Sequence, residues 1–69
     1  MDRIDVVRNG ETDQFSVSLA HGSDAIRCMV SVAGGQPDVR SDDEKRAAAL
    51  GRAKALAELF AAAIEEQLS

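Results

Sequence analysis

The chain's one histidine stands in the stretch His21-Gly22-Ser23-Asp24, which gathers the residue types of a catalytic set into one place. Histidine, serine and aspartate are the members of a hydrolytic triad, in which each must orient the next around a substrate. Three neighbours in one short turn cannot do that, so a polar turn is expected there and a hydrolytic centre is not. Cys28 is the single cysteine. It alternates with Ile26 and Val30, which places it on a core face as a small apolar residue rather than a nucleophile. One histidine and one cysteine cannot supply a tetrahedral metal site from nitrogen and sulfur. The adjacent carboxylates Asp42, Asp43 and Glu44 do not converge on one ion from a helix. Gly34-Gly35 is followed by Gln36-Pro37, not by a lysine and a helix start, so no phosphate cradle is expected. Neither an enzyme nor a cofactor or metal site is anticipated.

Chemistry being absent, the question becomes what the elements present to other molecules. With 69 residues, the chain is short enough that a single core stabilises a fold only marginally. One cysteine excludes an internal disulfide, which leaves self-association as the remaining aid. The formal charge of -4 lacks the basic footprint of a duplex-binding protein, and Phe15 and Phe60, the only aromatic residues, give no platform for stacked bases. No direct nucleic-acid partner is expected. No apolar run nears the roughly 20 residues of a membrane span. Residues Met1 to Asp5 lack the apolar centre of a signal peptide, so a cytoplasmic location with a reduced Cys28 is expected.

One α+β domain covering 1–69 accounts for the patterning. A first strand at about 3–7 sets Ile4 and Val6 on one face, and Asn9-Gly10 offers the tolerance of positive φ that a tight hairpin turn needs. A second strand at about 14–19 points Phe15, Val17 and Leu19 inward. After the turn at His21, a third at about 25–32 does the same with Ile26, Cys28, Val30 and Val32. Ala33 to Arg40, carrying Gly34-Gly35 and Pro37, is the crossing from sheet to helix. Ser41 with Glu44 three residues later is a capping-box pattern, and Asp42 and Asp43 suit the positive end of a helix dipole. A helix over about 42–68 follows, giving a three-stranded antiparallel β-meander packed against one long C-terminal α-helix. Its stripe of Leu50, Leu56, Phe60, Ile64 and Leu68, with Ala49, Ala53 and Ala57 between them, is expected to cover the sheet.

A second helical stripe consists almost wholly of small residues: Ala48, Gly51, Ala55 and Ala62, with Leu59 among them. Small side chains let two helices approach closely, so this stripe is the expected interface of a homodimer, ahead of pairing through an edge strand. The plain alternative is that alanine merely favours the helix. Glu58, Glu65 and Glu66 make the helix end acidic where its dipole prefers cations. They are the expected surface for a partner protein with a basic face; a solvated, solubilising surface is the other reading.

The order strand-strand-strand-helix with the tract Ser41 to Leu50 resembles the second half of a double-stranded RNA-binding domain. That family grips phosphates with lysines where this helix starts with Asp42 and Asp43, and its first helix has no counterpart here, so RNA binding does not carry over. In size and acidity the chain also resembles small phage and mobile-element proteins such as anti-CRISPR inhibitors, which implies a protein that occludes a partner's nucleic-acid-binding surface. The expected function is a non-enzymatic interaction module that binds, and inhibits, a basic protein. A structural accessory or dimerisation subunit of a larger assembly is the alternative.

Overall fold

In the computed structural model, which describes residues 2–34 and 37–69, the elements run β1 (Arg3–Arg8), β2 (Gln14–His21), β3 (Asp24–Ser31) and α1 (Asp42–Leu68). The sheet is an antiparallel meander in the order β1-β2-β3, with the helix on one face, as the patterning anticipates. The third strand lies one residue earlier than expected, and Val32 follows it with its amide donating to the Asp13 carbonyl at 2.8 Å. Of the sheet-to-helix crossing, Gly35 and Gln36 lie outside the described residues.

Both hairpins follow from their glycines. His21 pairs with Asp24, leaving Gly22 and Ser23 as the turn; Gly22 has φ +62°, the positive value a type II′ turn requires at its first central position. The first hairpin is looser than Asn9-Gly10 suggests. Asn9 still pairs with Gln14 through a 2.9 Å bond, so the loop spans Gly10 to Asp13, and of the pair only Gly10 takes a positive φ. Arg8 holds that loop, its Nε donating to the Thr12 carbonyl at 2.8 Å.

Register stacks the helix-facing side of the sheet into three rows. Arg8, Phe15 and Val30 form the first, Val6, Val17 and Cys28 the second, and Ile4, Leu19 and Ile26 the third. The buried core comprises Phe15, Val17, Val30, Val32, Ala49 and Ala53. Ala49 and Ala53 therefore cover the first two rows, small side chains that let the helix come down onto Phe15.

Polar contacts fix where the helix begins. Ser41 caps it: its hydroxyl accepts from the Glu44 amide at 3.2 Å and its own amide donates to Glu44 Oε1 at 3.3 Å, a complete capping box. Arg8 reaches Asp42 at 3.1 Å, Lys45 reaches Asp13 at 3.1 Å, and Arg46 donates to the Val6 carbonyl at 3.0 Å. Before the helix, Arg40 donates to both oxygens of Asp38, at 3.0 and 2.9 Å, and to the Val32 carbonyl. The Arg40 guanidinium holds the Asp38 carboxyl well below the usual range, with the Arg40 amide and Lys45 acting in the same direction.

The expectation that the apolar stripe of the helix covers the sheet holds for Ala49 and Ala53, which are buried in the core, and fails for its large members and for Ala57. Leu50, Leu56, Phe60, Ile64 and Leu68 are between 41% and 81% exposed, and every residue from Lys54 onward lies at the surface. The reason is length. A 27-residue helix runs about 40 Å, whereas the longest strands have 8 residues and span about 27 Å. With its first turns tied to the hairpin loop, the helix must overhang, and the chain extends 46 Å in its long dimension.

Candidate functional site

His21, Ser23 and Asp24 share one turn, but among the described residues their side chains form no hydrogen bond with one another. His21 is exposed and turns to Asp2, with which its Nδ1 is in hydrogen-bond contact, rather than to Ser23 or Asp24. Cys28 is half-buried against the core, its thiol 3.5 Å from the Val17 carbonyl, which fits the apolar role read from its alternation. Among the described residues, no three His, Cys, Asp or Glu side chains converge as metal ligands.

The most distinctive surface is an apolar groove. Where the helix leaves the sheet, the third row (Ile4, Leu19, Ile26) forms one wall and the helix residues Leu50, Leu56 and Phe60 form the other, with Val17 and Cys28 also lining it. Arg27 and Lys54 are its charged members, and its volume is about 670 Å³. Ile4 is 53% exposed and Phe60 51%, so large apolar side chains on both walls meet solvent. Isolated exposed leucines are ordinary on any protein; a contiguous apolar cleft on so small a chain is what makes this groove the candidate site.

On the helix, this wall prolongs the line already buried upstream. At about 100° per residue, Leu56, Phe60 and Ile64 fall within about 60° of Ala49. The small-residue stripe of Ala48, Gly51, Ala55, Leu59 and Ala62 is centred about 120° away. Its members part company: Ala48 packs partly against the core, Leu59 reaches the groove, and Gly51, Ala55 and Ala62 are exposed. Glu58, Glu65 and Glu66 are exposed too, and the last turn has no basic residue.

Sequence reasoning missed the third row as part of the surface, since alternation assigns Ile4, Leu19 and Ile26 to the core with the same weight as Phe15. The available signal was the disparity between helix and strand lengths. The Asp38–Arg40 pair and the Arg8 contacts join positions without periodic spacing and left no comparable mark. Among the described residues, no helix is long and apolar enough to cross a membrane. No family model, curated protein or solved structure matches this chain.

Proposed function

We propose that this chain is a non-enzymatic protein-interaction module that works as a homodimer in the cytoplasm and offers an acidic surface to a protein with a basic face, inhibiting it by occlusion. The observation that carries the reading is the half-helix from Lys54 to Leu68, exposed throughout and apolar along one line, with Leu56 and Phe60 facing an open row of the sheet. Covering that surface with protein removes large side chains from water, and each that becomes fully buried contributes roughly 1.5–3 kcal/mol. Glu58, Glu65 and Glu66, with a formal charge of -4 for each chain, support an acidic face and disfavour direct contact with nucleic acid. An inhibitor of the anti-CRISPR kind is one instance of such a module.

The same apolar line also favours a second reading, a dimerisation subunit of a larger assembly, and the two part on the glutamates. The test is recovery of a partner at low and high ionic strength, with the intact chain and with Glu58, Glu65 and Glu66 all changed to glutamine. The solution mass of each sample is recorded alongside, so that loss of pairing is not mistaken for loss of binding. A partner released by salt and lost with the glutamines supports the acidic module. One retained by the triple variant supports the assembly subunit instead.

A further inference from the structure

We propose that the groove is filled by a second copy of this chain, whose overhanging half-helix lies antiparallel to the first about a two-fold axis beside Phe60. The inference rests on the homodimer reading above and adds which face pairs and in what register.

Surface area comes first. The chain exposes 5472 Å² for 7.3 kDa, whereas a compact monomer of that mass exposes about 4,200 Å². Its radius of gyration is 13.8 Å, against about 11 Å for a compact chain of this length. The excess of about 1,300 Å² leaves room for the roughly 800 Å² each partner surrenders in a standard interface, the area a stable pair with one second copy needs.

The pattern along the helix then selects the occupant. Around Phe60 the apolar residues are symmetric: Leu56 and Ile64 stand four positions either side, Ala57 and Ala63 three. An antiparallel copy sets Phe60 beside the partner's Phe60, and Leu56 level with the partner's Ile64, so bulk meets bulk along the seam.

Charge fixes the direction. Viewed from Phe60, Arg52 and Glu66 lie about 80° and 120° to one side, and Lys54 and Glu65 about 120° and 140° to the other. In the antiparallel arrangement Arg52 comes within about 3 Å, along the axis, of the level of the partner's Glu66 and on the same side of the seam, twice by symmetry. A parallel pair would set Arg52 near the partner's Lys54, like charge toward like. Glu58 and Glu65, about 160° and 140° from Phe60, stay on the outside for another protein.

The test is charge reversal read by the dimer dissociation constant. Arg52 and Glu66 are both exposed, so neither change disturbs the core. Arg52→Glu alone and Glu66→Arg alone should each weaken the dimer about tenfold, and the two together should restore it to within about threefold. Failure of the double variant to recover overturns the register. In a Cys28→Ala background, a short bis-maleimide should link copies through Ala57→Cys, beside the seam, and leave Ala55→Cys copies unlinked. Linkage through position 55 instead would place the interface on the small-residue stripe and overturn the pairing proposed, with the homodimer reading intact. An intact chain that is monomeric at every concentration removes both.

Discussion

Truncating each phenylalanine to alanine separates two side chains that look alike in the sequence and sit in opposite surroundings. Phe15 is 1% exposed beneath Ala49 and Ala53, and removing its ring leaves a cavity that the surrounding strands cannot close. Phe15→Ala should cost about 3–5 kcal/mol. The whole domain, at about 0.05–0.15 kcal/mol per residue, has only about 3–10 kcal/mol to lose, so this variant is largely unfolded or close to it. Phe60 already leaves half its surface in water, and Phe60→Ala should cost the isolated chain about 1 kcal/mol. In the dimer the remaining half of each ring is removed, about 2 kcal/mol for the pair, or about a 30-fold weaker association. Urea unfolding followed by circular dichroism at low and high protein concentration reads both effects. The deficit of Phe60→Ala relative to the intact chain should widen as concentration rises, because pairing stabilises only a chain able to pair. A deficit of about 3 kcal/mol or more already present on dilution would mean that Phe60 is packed on the sheet as Phe15 is. A deficit independent of concentration would exclude Phe60 from any interface.

Two further outcomes check other parts of the fold. Asp38 has a native pKa depressed by Arg40, so its contribution is fully present above the unfolded value of about 4 and is lost as pH falls through the native value. Asp38→Asn should therefore be less stable than the intact chain at pH 7, with the gap narrowing in urea melts below pH 4; a gap unchanged at pH 2 would contradict the ion-pair origin. Gly51 has open space around the site of a Cβ, so Gly51→Ala should gain about 1 kcal/mol, or about 4–8 °C in melting temperature, with the dimer constant unchanged.

The architecture was legible because local signals agreed with one another. Clean alternation from Gln14 to Leu19, a Gly-Ser turn and a capping box at Ser41 each specify an element without long-range information, and all three recur in the structure. What alternation cannot encode is how far a helix reaches across a sheet. Ile4, Leu19 and Ile26 carry the same inward pattern as Val6, Val17 and Cys28, one row away, yet the helix rises off the sheet before covering them. The helix likewise hides its burial in its smallest residues: Ala49 and Ala53 make the contact while the leucines beyond them remain open. Periodicity ranks side chains by size, whereas close approach to Phe15 demands small ones. The small-residue stripe lies on another face of the helix from the line through Leu56 and Phe60 that borders the groove.

Sedimentation equilibrium of the intact chain over a wide concentration range bears most directly on the claim that the overhanging half-helix is covered by a second copy. The expected mass is twice 7.3 kDa at high concentration, declining toward a single chain on dilution in one two-state transition. A mass of one chain throughout would leave the helix beyond Lys54 bare in solution and contradict the claim.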